Sequence, residues 1–389
     1  MESYRLRHYA RMFADGNRND AYRAALAEVI SPGASVLDIG TGTGLLAMMA
    51  CHAGARRVYA VEQAPIIQFA RDLAAHNGVA DRIVFIERVS TAVRLPERVD
   101  AVVSDIRGVL PLSGTAVTSI IDARDRLLRP GGALVPLADA LSAAVVSASS
   151  TIDAYVSPWT RPSWGVDATP LASAAAQQIV PVAPGDVELL SGPAPWVTID
   201  YNTVTTPSAR GTVEWCMPAA ATAHGFVLWF EALLAPGISY STAPGGADTL
   251  YGLAFFPWPG AVDCPAQGSV RVDLRADLIG AAYVWTWRTV VDSVAGRREF
   301  SQSTFAGMPL ARARLDRGRP DAVPLVSGWA DVDAAALALM RHGLTLREVA
   351  RRLCERFPES LPTRDAALAR AADLAGRYAI SNDDAGCVS

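Results

Sequence analysis

Three glycines alternate with threonine at Gly40-Thr41-Gly42-Thr43-Gly44, between the apolar run Val36-Leu37-Asp38-Ile39 and Leu45-Leu46. Glycine allows a tight turn and lets backbone approach a ligand closely. By itself the pattern suits any nucleotide-binding turn. Two acids narrow it. Asp38 precedes the first glycine, where a carboxylate suits an adenosyl ligand better than a pyrophosphate. Glu62 closes a second apolar run, Arg57-Val-Tyr-Ala-Val-Glu62, about 20 residues beyond the turn, where an acid can hold ribose hydroxyls. Together they favour S-adenosylmethionine over a dinucleotide.

The elements that must position these residues follow from the pattern around them. Strands are expected at 35–39, 57–62, 83–86, 99–104 and 132–135, with helical stretches at 44–53, 65–76 and 115–128. Strands and helices in alternation imply a parallel sheet covered on both faces. Residues 1–30 read as helical, with a break near Asp15-Gly16-Asn17. From 138 to 300 the texture turns to Val, Thr, Trp and Tyr with frequent Pro and Gly, which reads as a β region of barrel-like form. The expected organisation is a cofactor domain over 1–137, a β-barrel-like substrate and dimerisation domain over 138–300, a linker over 301–330 and a helical extension over 331–389.

Composition limits the function classes. The 389 residues carry a net charge of −4, and all 35 basic residues are arginine. Without a basic run, nucleic acid is not the expected partner. No apolar run reaches the length of a membrane span, and the N-terminus lacks the apolar core of a signal peptide, so a cytoplasmic protein is the expectation. The five cysteines are scattered, with no metal-ligand spacing and no disulfide framework.

The order of elements resembles the protein arginine methyltransferases, across roughly residues 8 to 295. The residues carrying the likeness are Met12-Phe-Ala-Asp-Gly-Asn-Arg18 with Tyr22, Val36–Leu46, Val58–Glu62, Leu95 to Ser104, Arg129-Pro-Gly-Gly132, Ala223-His-Gly-Phe-Val-Leu-Trp-Phe230 and Ser241-Thr-Ala-Pro244. The resemblance implies a Rossmann-like seven-stranded methyltransferase domain followed by a β-barrel-like domain. It also implies a cofactor shell of Tyr9, Met12, Arg18, Asp38, Gly40, Thr41, Gly42, Gly44, Leu45, Glu62, Gln63, Val89, Ser90 and Asp105. Arg18 would grip the methionine carboxylate, as a bidentate fork can. Glu62 would hold the ribose, Ser90 would sit by the adenine, and Asp38 would meet the ammonium directly or through water. Tyr9 stands where the family has a histidine. A homodimer is implied as well, with residues 152–170 in the place of the family's dimer arm.

The likeness fails at the acceptor side. The family's loop after the fourth strand begins Ser-Glu and ends in a second Glu; here it reads Ser104-Asp-Ile-Arg-Gly-Val-Leu-Pro-Leu-Ser-Gly114. Asp105 holds the first acid position and Gly114 the second. The family's Thr-His-Trp reads Thr249-Leu-Tyr251. Guanidinium is a planar cation with five donors, so positioning it needs acceptors on more than one edge. Gly114 removes one, and Arg107 in the same loop would repel a cation and orient an anion. The catalytic set expected is therefore Asp105 as base, Arg107 as the orienting group and Tyr251 lining the acceptor pocket. The expected acceptor is a metabolite or peptide in a specialised biosynthetic pathway rather than protein arginine. A guanidine acceptor served by Asp105 alone, and an inactive scaffold, are the alternatives. His224, inside an apolar β stretch, reads as a core histidine.

Residues 331–379 lie outside the family pattern. Their order of helices, with Leu337, Leu344-Thr-Leu-Arg-Glu-Val349, Leu353 and Phe357, resembles the small winged-helix domains that bind leader peptides. A helical cap is the other reading of the same residues.

Overall fold

A computed structural model describes residues 6–161, 164–246, 249–309, 316–317 and 319–379. The chain forms two compact units, divided after Met308.

The first unit starts with helices α1 (Leu6–Ala14) and α2 (Gly16–Val29). Asp15 separates them, caps α2 by accepting from the Arg18 N–H at 3.0 Å, and satisfies one of the helix's orphan donors. Tyr22, Ala25 and Leu26 give α2 a buried face.

Strands β1 (Ser35–Ile39), β2 (Arg57–Val61), β3 (Ile83–Ile86), β4 (Val99–Ser104) and β5 (Leu128–Val135) form a parallel sheet in the order β3-β2-β1-β4-β5. Helices α3 (Leu45–His52), α4 (Ile67–His76) and α5 (Ala116–Asp122) supply its crossovers. The strand order reverses between β1 and β4, so the loops leaving these two strands open a crevice at the carboxyl edge, where α/β sheets bind ligands. The sheet has five strands rather than the seven expected. After β5 the chain turns into β6 (Ala138–Ser147), which pairs antiparallel with the barrel strands and adds nothing to the parallel sheet.

Beyond β6 lie three short helices, α6 (Ser149–Tyr155), α7 (Ser157–Thr160) and α8 (Thr169–Ala175). They span the segment assigned to the dimer arm. Two antiparallel sheets follow. One joins β6 to β7 (Val180–Val182), β8 (Glu188–Leu189), β9 (Ala194–Asp200), β11 (Ala221–Ala235), β12 (Ile238–Ser241) and β13 (Leu253–Cys264). The other runs β10 (Ala209–Cys216), β14 (Ser269–Ile279), β15 (Ala282–Ser293), β16 (Gly296–Ser303). Aromatic side chains fill the space they enclose: Phe256 meets Trp285 and Trp287 edge-on at 5.4 and 5.2 Å. Such pairs add stabilisation beyond their buried area. β16 extends to Ser303, so the expected linker begins later than residue 301.

The second unit contains α9 (Trp329–Arg341), α10 (Leu346–Arg356) and α11 (Arg364–Tyr378) around Val332, Val349, Leu353 and Leu374. Thr345 caps α10 through the Glu348 N–H at 3.3 Å, while the Glu348 carboxylate pairs with Arg351 and Arg352 instead of returning to the cap. Among the described residues this unit has no strand to serve as the wing of the winged-helix expectation. Cys387 and the rest of the chain end lie outside the described residues.

Candidate functional site

The turn after β1 is fixed by backbone bonds. The Gly40 and Thr41 N–H groups donate to the Val61 carbonyl at 2.8 and 3.0 Å, and the Gly42 N–H donates to the Glu62 carboxylate at 3.2 Å. Gly40 and Gly42 have φ of +71° and +54°, the left-handed region that favours glycine. A Cβ on Gly40 would lie 2.1 Å from Ile106, and one on Gly42 would lie 2.8 Å from the Tyr9 ring. The turn is thus clamped between the loop after β4 and the first helix.

Beside it lies a cavity of about 700 Å³. Its wall brings together Tyr9, Met12, Arg18, Gly40, Thr41, Gly42, Leu45, Glu62, Gln63, Asp105 and Arg107. Five expected residues are not in that wall. Gly44 backs onto Ala70 of α4, with a Cβ there 3.2 Å from the Ala70 methyl, so it serves helix packing. Asp38 is buried beneath the turn. Val89 is exposed on the loop after β3, and Ser90 is buried with its carbonyl bonded to Arg126. Tyr251 is buried behind Asp105.

Two observations bear on an adenosyl cofactor carrying an ammonium and a carboxylate. Asp38 accepts from the Thr41 hydroxyl through Oδ2 at 2.5 Å, but its buried Oδ1 has no partner. A buried acceptor without a donor is costly unless a ligand supplies one. Burial pushes this carboxyl up to about 7, against the Thr41 hydroxyl and the Ala47 N–H. Arg18 uses Nε on Asp105 and Nη1 on Asn19, leaving Nη2 able to meet a carboxylate. Glu62 accepts from Gly42 and from the Ala64 N–H at 2.9 Å, one bond to each oxygen, so both oxygens retain capacity for hydroxyls. The residues present fit S-adenosylmethionine.

The acceptor side departs from expectation. Asp105 is enclosed: Oδ2 takes Arg18 Nε, Oδ1 takes Arg107 Nη1 at 2.9 Å, and the Tyr251 hydroxyl reaches the two oxygens at 2.7 and 2.6 Å. Burial pushes its carboxyl up, but Arg18, Arg107 and the Tyr251 hydroxyl outweigh that and hold it below the usual carboxylate range. This is a poor base. Arg107 is buried too, with Nε and Nη2 on Asp139 at 3.0 and 2.8 Å and Nη1 on the Tyr22 hydroxyl at 2.8 Å. It does not present a free cation to an anionic substrate, because its charge is matched by Asp139. Burial pushes the Tyr251 phenol well above its ordinary range and Asp105 adds to the rise, so it stays a neutral donor.

Sequence reasoning missed Asp139, Tyr201 and Tyr240, and gave Tyr22 no part in the site. Tyr201 donates to Asp139 at 2.6 Å; Tyr22 donates to the Ser104 carbonyl at 2.9 Å; the Tyr240 hydroxyl is buried without a partner among the described residues. The available signal was Asp139 itself, an acid at the start of the apolar strand Ala138-Asp-Ala-Leu141. A buried acid on a strand demands a cation or donors. His224 accepts from the Ala148 N–H at 3.3 Å away from this cluster, and burial pushes it below its ordinary value. No group of three potential metal ligands occurs among the described residues, and none of their helices is long and apolar enough to cross a membrane.

A glycine turn at the switch point of a parallel sheet and an acid at the end of the next strand form an adenosyl-binding α/β domain, here followed by an antiparallel β domain, the arrangement expected of a methyltransferase. Comparison with known proteins agrees. Residues 23–136 match the family model for ribosomal protein L11 methyltransferase. Protein arginine N-methyltransferase 6 of Xenopus tropicalis is 32% identical over 255 residues, 61% of this chain and 74% of that protein. Protein arginine N-methyltransferase PRMT10 of Oryza sativa subsp. japonica is 42% identical over 133 residues, 34% of this chain and 35% of that one. Among solved structures, the Trypanosoma brucei PRMT1 enzyme–prozyme heterotetrameric complex with AdoHcy shares the fold at a TM-score of 0.69 and 22% identity, covering 76% of this chain and 96% of that one. Arabidopsis thaliana protein arginine methyltransferase 10 shares it at 0.64 and 23%, covering 77% and 97%. The chain belongs to the protein arginine methyltransferase family. It is an S-adenosylmethionine-dependent methyltransferase.

Proposed function

We propose that the protein methylates a nitrogen or oxygen nucleophile other than a protein arginine, carried by a small metabolite or a biosynthetic peptide. The observation that carries this reading is the enclosure of Asp105 by Arg18, Arg107 and Tyr251. The single acid of the loop has no edge left for a guanidinium, and Gly114 offers no second one.

The cofactor supplies a methyl group on a sulfonium, already activated by its charge. In this reading Arg18 holds its carboxylate and Glu62 its ribose, Asp38 meets its ammonium directly or through a bridging water, and Gly40 and Gly42 let it approach the backbone. Tyr9, Met12 and Leu45 close the cavity around it. Asp105 acts as a positioning residue that sets the Arg18 side chain. The acceptor must then attack in line from about 3 Å without surrendering a proton first. A free-base amine or a carboxylate meets that condition, and a hydroxyl does not, because Asp105 is too weak a base to deprotonate it. A homodimer through α6–α8, where Tyr155, Leu171 and Trp164 expose apolar surface, belongs to the same proposal.

The test is mass spectrometry of the purified protein incubated with methyl-labelled cofactor and a size-fractionated extract. Label in a small molecule or short peptide, with protein arginine untouched, is expected. Label in the arginines of a protein fraction would overturn the proposal.

A further inference from the structure

The side chain of Arg107 is held as a protein would hold a guanidinium arriving from outside. Asp139 takes its Nε and Nη2 edge at 3.0 and 2.8 Å. Asp105 and the Tyr22 hydroxyl take Nη1 at 2.9 and 2.8 Å. The Phe230 ring lies under the cation at 5.5 Å. Two carboxylates on different edges and an aromatic face are the three features that guanidinium recognition uses. The acids are themselves held in place, Asp139 by the Tyr201 hydroxyl at 2.6 Å and Asp105 by Tyr251. The cage adjoins the cofactor cavity, whose wall includes both Asp105 and Arg107.

We propose that Arg107 is an internal occupant of a guanidinium site and that it decides acceptor choice by filling that site. The inference rests on the acceptor reading above. Charge makes it specific. Arg18 and Arg107 balance Asp105 and Asp139, so the cluster is neutral with Arg107 in place. Without the Arg107 guanidinium it carries one uncompensated negative charge in a buried, planar space. Such a space demands a cation, because a buried unpaired carboxylate is strongly unfavourable. A guanidinium fits it, and a neutral molecule of the same shape does not satisfy the charge.

The experiment uses the full chain carrying Arg107→Ala, with methylguanidinium as probe and methylurea as its neutral counterpart. Millimolar methylguanidinium is expected to raise the Tm of the variant by several degrees and to leave the wild type unmoved, with methylurea acting on neither. Arginine amide, read by calorimetry, is expected to bind the variant and not the wild type. In Arg107→Ala/Asp139→Asn the methylguanidinium response is lost. Equal shifts in wild type and variant, or an undiminished response in the double variant, would overturn the inference. Methylguanidinium rescue without arginine amide binding would reduce Arg107 to a structural ion pair and equally overturn the claim on specificity. If Arg107→Ala does not fold unaided, recovery of cofactor-binding protein after refolding in methylguanidinium but not in methylurea supports it, and equal recovery in both counts against it. None of these readouts involves methyl transfer, so their failure is distinct from label appearing on protein arginine.

Discussion

The affinity for S-adenosylmethionine should depend on pH through Asp38. Burial pushes its carboxyl up to about 7, from a usual value of 3.8. Only the charged form can pair with an ammonium. Well below the midpoint the ionised fraction drops about tenfold per pH unit, so affinity should fall about tenfold, or ~1.4 kcal/mol, between pH 6 and pH 5. The cofactor's own amino group, with a usual value of about 7.7–8.0, loses its proton on the other side. The affinity profile therefore peaks between about pH 7 and about pH 8. Near pH 6 about nine-tenths of Asp38 is protonated in the free protein, so binding should release about 0.9 proton. Titration calorimetry in buffers of different ionisation enthalpy reads both quantities. The linkage also acts on stability: the folded state keeps the Asp38 proton where the unfolded chain releases it. This group's contribution to the cofactor-free fold therefore declines as pH rises from about 4 through about 7. Asp38→Asn should remove the acid limb and the proton release together. Constant affinity from pH 7 to pH 5 with no proton released would refute the assignment of Asp38 to the ammonium.

Asp105→Asn leaves the buried guanidiniums of Arg18 and Arg107 facing a neutral amide, and urea denaturation should show a loss of ~3–5 kcal/mol; a loss within error would mean the cluster is held by other contacts. Gly42→Ala puts a methyl 2.8 Å from the Tyr9 ring at a φ of +54°, so cofactor affinity should drop sharply in calorimetry while the urea midpoint of the barrel changes little. Asp15→Ala removes the α2 cap, worth ~1 kcal/mol, and the bond at 3.0 Å that ties the helix to the Leu250 N–H. The expected kinetic result is a raised KM for the cofactor with kcat near the wild-type value, since Arg18 sits in the loosened turn; an unchanged KM would show that the tie does not position Arg18.

The cofactor half of the site was legible because it is local in sequence. Gly40, Gly42 and Glu62 lie in one strand–turn–helix–strand unit, and their gathering at one cavity wall follows from backbone geometry that glycine and a strand-end acid announce. The five parallel strands were legible for the same reason, each an apolar run bounded by turns. The acceptor half is assembled from distant segments. Arg107 meets Tyr22, 85 residues away, and Asp139, 32 residues away. Nothing in the spacing of the loop after β4 tells that its arginine turns inward. Judged by sequence alone, Arg107 was a cation beside the reaction centre; its partner sits on the first barrel strand, a region read from its composition as a whole. The helices α6–α8 were missed because a region rich in Val, Thr and Trp overall conceals a short stretch rich in Ala and Ser.

The cluster's neutrality constrains the acceptor independently of its geometry. A guanidinium entering the site would give up its hydration and meet carboxylates whose charge is already matched by Arg18 and Arg107. Its Coulombic return would be small and its desolvation cost undiminished, a combination that buried ion pairs do not survive. A carboxylate acceptor meets a weaker version of the same problem, since Arg107 is matched by Asp139 and the remaining Arg18 nitrogen is assigned to the cofactor carboxylate. An uncharged amine faces neither penalty. It needs only a donor or acceptor to orient it, and its lone pair is available without a base. Among the described residues the buried Tyr240 hydroxyl, whose ring stacks at 6.3 Å on Tyr251 behind Asp105, has no partner. Electrostatics thus rank a neutral amine ahead of a carboxylate, and both ahead of a guanidinium, as the nucleophile this site can hold.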